Sequence, residues 1–404
     1  MVKVSAAFCC CSGFDMTTTC CKQGGTQTPP PPTNSLPFLS FDLVTEILCQ
    51  LPVKNLLQLR CICKSWNSLI SHDSEFTMKH LRLSTSNLDR HHLFLSSLRT
   101  SRLLHLSDSS ISSFFSPPST TSFTQINHYS PILNKNLNFG ERVSTYDGML
   151  CVRIDSSSAL LCNPSIRKFK ILPPLINPDQ NYLQSSFTLV YDRFTNNYKI
   201  YSLSKTTDGY KQVNVHTLGT DYWRKIQDFP KHYYLVQNPG ISLSDTVNWL
   251  VYHDRSFARV IVSLDLENEL CQELFHPLYN YKPGTCIALG VLRDCLCIFS
   301  HSDKFSDVWI MKEYGNVESW TKLLSVPQMG GCGCYIYTKV LYISEDGLML
   351  IYFFKRGKFR LAVYDSINDT LKIPEIQNNI HDLVKEVYLP EVYIETLISP
   401  LSQY

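Results

Sequence analysis

Outside the first 35 residues, three Cys-x-Cys pairs, Cys61/Cys63, Cys295/Cys297 and Cys332/Cys334, come nearest to metal or thiol chemistry in this 404-residue chain. A structural zinc site needs four ligands, and its cysteines normally arrive as Cys-x-x-Cys. None of the 16 cysteines has that spacing. Residues two apart on a strand share a face, so Cys295 and Cys297 are expected to be small buried side chains. The run Met329-Gly330-Gly331-Cys332-Gly333-Cys334 is glycine-rich, but no Lys-Ser/Thr follows to hold a phosphate, and an inter-strand loop is the ordinary reading. No G-x-S-x-G elbow, H-E-x-x-H pair or dinucleotide fingerprint occurs, and the 12 histidines are dispersed apart from His91-His92. Spacing therefore nominates no catalytic residue, no cofactor and no metal.

Composition narrows the classes further. A formal net charge of +2 with 18% charged residues gives neither a nucleic-acid footprint nor an acidic solvating chain. Five cysteines crowd the first 21 residues and the others scatter, which is no disulfide framework. The start, Met1-Val2-Lys3-Val4-Ser5-Ala6-Ala7-Phe8, is weaker than a secretory signal. The apolar run Leu348 to Phe354 is far short of the roughly 20 residues of a spanning helix. Reduced thiols in the cytosol or nucleus, and no membrane, are the expectations. Residues 1 to 35, with Pro29-Pro30-Pro31-Pro32, form a disordered leader on composition, its thiols incidental or acylated.

The elements begin after this leader. Val44, Ile47, Leu48 and Leu51 recur at the spacing of one helical face, with Ser40 placed to cap and Pro52 to stop. A second short helix around Asn55 to Arg60 carries Leu56, Leu57 and Leu59, and a third from Cys63 to Ile70 carries Trp66, Leu69 and Ile70. Three such helices in about 45 residues bury too little surface to be comfortable alone. The cassette calls for a partner.

Beyond about residue 90 the chain turns to short β-rich runs, among them Met149 to Val152, Tyr198 to Tyr201, Val260 to Val262, Leu296 to Phe299 and Met349 to Tyr352. Strand-turn-strand units end in proline at Pro173, Pro230, Pro277, Pro327 and Pro374, at intervals of 57, 47, 50 and 47 residues. A period near 50 is that of a kelch-type propeller blade. Trp223, Phe275 and Trp320 stand shortly before the unit ends. Five units leave a ring open, so Val392 to Leu397 is expected to join strands near Leu93-Phe94-Leu95 and Leu103-Leu104-His105 in a closing blade. That makes six blades, with seven as the alternative.

Leu36-Pro37, Glu46-Ile47-Leu48, Leu51-Pro52-Val53-Lys54, Leu56-Leu57, Arg60 to Trp66 and Leu69-Ile70-Ser71 resemble the F-box pattern. Asp147 to Cys151, Asn163-Pro164-Ser165, Asn197-Tyr198-Lys199, Val308 to Gly315, Glu318-Ser319-Trp320 and Tyr393 to Leu397 resemble the kelch-like F-box-associated domain of plant F-box proteins. The likeness covers residues 36 to 398. It implies a multidomain α+β architecture: leader 1–35, three-helix F-box 36–82, and an all-β, kelch-like propeller of about six blades over 83–400. It also implies a non-catalytic substrate receptor of a Skp–cullin–F-box ubiquitin ligase, docked on a Skp-family adaptor and through it on a cullin, with an unknown target protein on the propeller. Leu36, Pro37, Ile47, Leu48, Leu51, Pro52 and Leu57 are the expected adaptor contacts, each of which could instead fill the cassette's core; Trp66 suits a core role equally well.

Three places depart from the family pattern. Tyr146-Asp147-Gly148 and Asp245 to Trp249 replace Asn-Gly turns, and Ser74 replaces a proline, which is expected to loosen the exit from the cassette. Rival readings are a lectin or sensor propeller with an idle F-box, or a copper-oxidase-like propeller, for which no Tyr, His and Cys trio is pinned. Residues 107–122, 205–210 and 328–334 are candidate target-facing loops.

Overall fold

In the computed structural model of the chain, the described residues are 39–98, 104–116, 120–125, 143–175, 182–206, 211–237, 239–278, 286–301, 305–327, 338–355, 358–377 and 390–401. By its contacts the chain divides into residues 1–44 and 45–404. Within the first unit, Ser40 Oγ accepts the Leu43 N–H at 3.3 Å, the capping contact expected of it. The helix it opens is α1 (Phe41–Cys49). Helix α2 (Val53–Leu59) starts directly after Pro52, whose fixed φ and missing N–H suit a helix entry. Then comes α3 (Lys64–His72).

A fourth helix, α4 (Ser74–Thr85), follows where three were expected, and the expected boundary at residue 82 falls inside it. The cause is local. Asp73 accepts the Phe76 N–H at 2.8 Å and Glu75 stands in the first turn, so the cap forms with Ser74 as well as with proline and the exit is not loosened. Cys49, Val53, Leu56, Leu69, Ile70 and Phe76 are buried and fill the interior of these helices.

Six antiparallel sheets follow, the six blades of a propeller. Blade 1 has the strand order Glu391–Ile394, His91–Leu98, Leu104–Ser110, Thr124–Gln125. Leu93 pairs with Val392 and Phe94 with Glu391, so the C-terminal strand closes the ring as expected, and six blades, not seven, complete it. Blades 2 to 5 begin at Ser144, Tyr182, Tyr233 and Cys286, and blade 6 at Thr338. Pro173, Pro230, Pro277 and Pro374 each stand just beyond the last strand of a blade, and Pro327 ends one. The recurring tryptophans staple neighbours: Trp223 Nε1 donates to the Pro173 carbonyl at 2.7 Å and Trp320 Nε1 to that of Phe275 at 3.2 Å. Clusters of Val, Ile, Leu and aromatic side chains fill the spaces between blades, including one around Val213, Val215, Trp249 and Val262.

The end of the third strand of blade 2 is tied to the C-terminal segment by Asn163, whose Nδ2 donates to the Thr396 and Ile398 carbonyls at 3.0 and 2.8 Å. The first two strands of that blade turn through Asp147 (φ 46°) and Gly148 (φ 75°), a two-residue hairpin turn that needs positive φ at both places. A β-carbon on Gly148 would lie 2.2 Å from the Ile394 carbonyl oxygen.

One buried polar cluster joins the helices from Thr45 onward to blade 1. Arg90, 3% exposed, donates to Ser84 Oγ at 3.0 Å and to the Cys49 carbonyl at 3.4 Å. His80 Nε2 lies 3.0 Å from the Leu51 carbonyl oxygen. The Glu395 carboxylate accepts the Val53 N–H at 3.2 Å, while the Glu395 N–H donates to the Arg90 carbonyl at 2.8 Å. His92 stands between two carboxylates, 3.0 Å from Asp108 and 3.4 Å from Glu395, and the Tyr393 hydroxyl donates to Asp108 at 3.1 Å. Burial opposes the charge on His92, but Asp108 and Glu395 outweigh it and lift its pKa to about 9. Burial likewise opposes the charge on Glu395, and His92 outweighs it and holds its pKa low.

Because His92 titrates higher folded than unfolded, its contribution is complete below the ordinary histidine value of 6.5 and is lost as pH rises through about 9. That rise corresponds to about 3 kcal/mol at 1.36 kcal/mol per pH unit. Urea midpoints measured from about pH 6 to about pH 10 should fall for the natural protein and lie lower and flatter for His92→Gln. Gly148→Ala, forced against Ile394 in a left-handed turn, should cost more than about 1 kcal/mol in the same assay.

Candidate functional site

Two features could engage a ligand or partner: the channel along the propeller axis and the outer surface of the helices. The channel is a cavity of about 340 Å³ lined by inner strands, with Ser144, Tyr146, Asp147, Lys339 and Glu391 among its walls. Lys339 Nζ lies 3.2 and 3.3 Å from the two Glu391 oxygens, so its main charge is already matched. Burial raises Asp147 to about 6 even though the Tyr198 hydroxyl donates to it at 2.9 Å. Among the described residues no three of His, Cys, Asp and Glu stand together as a metal would require. Cys297 is buried and Cys295 half-buried, as expected of packing thiols.

The helices give a different picture. Ile47 of α1 is 53% exposed although the periodicity placed it on one stripe with Leu48. Leu48, one residue on and about 100° around the helix, is 2% exposed. Leu48 therefore packs inside the cassette with Cys49 rather than standing open as the expected contact, and Ile47 lies on the water side of the stripe. Pro52 is exposed, and Leu51, Leu57 and Trp66 are half-buried. Leu57 lines a cleft of about 440 Å³ that it shares with Arg60, Ile70, Lys168 and Leu397, so it faces blade 2 and the C-terminal segment. Leu36 and Pro37 lie outside the described residues.

Ile62 was missed. It is 53% exposed in the turn between α2 and α3. No helical period includes a turn residue, but an isoleucine between two cysteines in a tight turn has no core to fill, and that was a legible signal. Leu39, Phe41 and Leu43 are also exposed and apolar. Exposed apolar anchors beside a filled interior are the physical signature of a docking surface.

Lys79 of α4 pairs with Glu46 of α1 on this surface, in the open, where such a pair contributes little to stability. It leaves Ile47 uncovered.

The comparisons agree with this division of labour. Residues 36–77 match the F-box domain, and residues 102–399 match the F-box associated beta propeller domain. An F-box/kelch-repeat protein of Arabidopsis thaliana is 29% identical over 369 residues, covering 90% of this chain and 96% of the relative. An F-box protein of the same plant is 25% identical over 354 residues, covering 81% of each chain. The Arabidopsis F-box protein CPR1 is 25% identical over 333 residues, covering 76% of this chain and 77% of its own. A helical cassette with uncovered apolar anchors, fixed to a closed six-bladed ring and matched in both parts, places the chain in the family of F-box proteins with an F-box-associated β-propeller.

Proposed function

We propose that this chain is the substrate receptor of a Skp–cullin–F-box ubiquitin ligase. Its F-box engages a Skp-family adaptor, the adaptor brings the cullin, and the propeller holds the protein to be ubiquitinated. The observation that carries the reading is the pairing of an already filled helical interior with exposed Ile47, Pro52 and Ile62. Apolar area left in water stabilises nothing until a partner covers it, at roughly 25 cal/mol per Å². The described cysteines are free thiols, consistent with work in the cytosol or nucleus.

Such a subunit performs no bond chemistry; its contribution is distance and orientation. The Arg90, His92 and Glu395 cluster supports this role, because a receptor that swung freely on its F-box would not present the target at a fixed place. The lectin and oxidase alternatives gain no observation of their own from the channel.

Ile47→Asp and Ile62→Asp, both at exposed positions, should leave the thermal midpoint unchanged and each raise the Kd for a plant Skp adaptor by about tenfold or more. Leu48→Ala should do the reverse, losing about 2–5 kcal/mol of stability through a buried cavity. Titration calorimetry with the purified adaptor, beside thermal melts, separates the two classes. Unchanged affinity in both aspartate variants would remove the docking proposal.

A further inference from the structure

The F-box joint marks one rim of the propeller. Ile394 and Thr396, on either side of Glu395, meet the Asp147-Gly148 turn there, Asp147 accepts from Tyr198, and the nearby Arg193 pairs with Asp245 at 2.7 Å. The turn at residues 244–245 therefore lies on the joint's side. From it the strand Thr246–His253 runs eight residues, about 23 Å at 3.3 Å per residue. Residues 254–258 consequently turn on the opposite rim.

That opposite rim carries a pile of aromatic rings. Tyr234 and Tyr252 stack with centroids 5.3 Å apart at 17°, and Tyr252 and Phe257 with centroids 6.3 Å apart at 13°. Phe257, at the end of the pile, is 69% exposed. Its φ is +54°, and it is the one aromatic among the non-glycine residues described with positive φ. A left-handed turn position suits Asn or Gly, and a bulky ring there is disfavoured. Phe257 accepts that conformation and then buries little of itself, so folding does not account for it.

The same rim carries positive charge that Asp254 offsets only in part. Lys211 Nζ sits 4.3 Å over the Tyr234 ring and donates to the Tyr233 carbonyl at 2.5 Å. Lys205 stands directly opposite Lys211 in the ladder, a like-charge pairing that disfavours the sheet. Burial, then Lys205, pushes the Lys211 pKa down, against a smaller opposing pull from Asp254. Neither lysine has a carboxylate partner among the described residues, and Arg255 adds an exposed cation in the Phe257 turn. The nearby carboxylates are engaged elsewhere: Asp254 with His232 at 3.3 Å, and Glu273 with the Tyr233 hydroxyl at 2.5 Å.

We propose that this rim of blades 3 and 4 is the target-docking surface, and that it takes an acidic segment of a protein chain carrying an aromatic or apolar side chain. The inference rests on the receptor reading and adds to it the place and class of the partner. Carboxylates of the segment meet Lys205 and Arg255, with Lys211 supplying positive potential beneath, and its apolar side chain covers the open face of Phe257. Stacking rings beside cations also serve single-stranded nucleic acid. A net charge of +2 over 404 residues gathers no polyanion, so the peptide is favoured.

The test uses the full chain purified with a Skp adaptor. The probes are a fluorescein-labelled ten-residue peptide of Glu and Asp around one Trp, the same peptide with Lys for every acid, and an oligouridylate. Fluorescence anisotropy should show binding of the acidic peptide that weakens with salt. Phe257→Asn should keep or raise the thermal midpoint, since Asn tolerates the left-handed turn, yet weaken the peptide by about tenfold or more. Lys205→Glu should weaken it similarly, while Tyr222→Ser, at a 65% exposed ring elsewhere, should change nothing. Equal binding of the Lys peptide, tighter binding of the oligouridylate, or unchanged affinity in Phe257→Asn and Lys205→Glu would overturn the docking surface. Adaptor co-elution is scored on the same samples. A complex that holds its adaptor and ignores the acidic peptide refutes this inference alone, whereas natural protein that fails to hold the adaptor refutes the receptor reading.

Discussion

The charged contact among His92, Asp108 and Glu395 is the interaction on which the rest of the molecule depends. Glu395 follows the strand that closes the ring, and its carboxylate also holds the Val53 N–H at the start of a helix. Ring closure and attachment of the helices therefore share one carboxylate. A buried ion pair stabilises only when its remaining hydrogen-bonding groups are satisfied. Here Tyr393 serves Asp108, and Val53 serves Glu395. The carboxylate just beyond the closing strand thus fixes the helices against blade 1.

Closure has a second consequence. A propeller keeps its strand edges short and protected only if the first and last segments meet, and the Leu93 to Val392 pairing makes the terminal strand carry that duty for the whole ring. Gly148 and Asn163 of blade 2 approach the residues just after that strand closely, with no room for a β-carbon at one and two hydrogen bonds from the other. Stability near the joint is thereby tied to chain regions more than 200 residues apart, and the opposite rim is left free of such duty. A strained exposed aromatic is tolerable there, and it would not be at the joint.

Much of this was legible beforehand. The proline period near 50 residues, the closing pairing of the C-terminal strand and the Ser40 cap all rest on local or periodic rules that a single sequence displays. The fourth helix was missed because Ser74 was weighed against a proline, while the cap itself, Asp73 to Phe76, was what mattered. Ile47 and Leu48 show a different limit. A 3.6-residue period identifies a stripe but not its edge, so two adjacent apolar residues were given one role when one faces water and the other the core.

The sequence by itself determined most element types, the repeat and the family, because those follow from spacing along the chain, whereas the choice of six blades over seven came from the pairing of the C-terminal strand. Only the tertiary structure decided which apolar residues of the cassette remain uncovered, that Arg90, His92 and Glu395 converge, and that Phe257, Tyr252 and Tyr234 stack beside Lys211. Those residues are brought together by ladders and ring closure between distant segments, and such proximity leaves no mark in the order of residues.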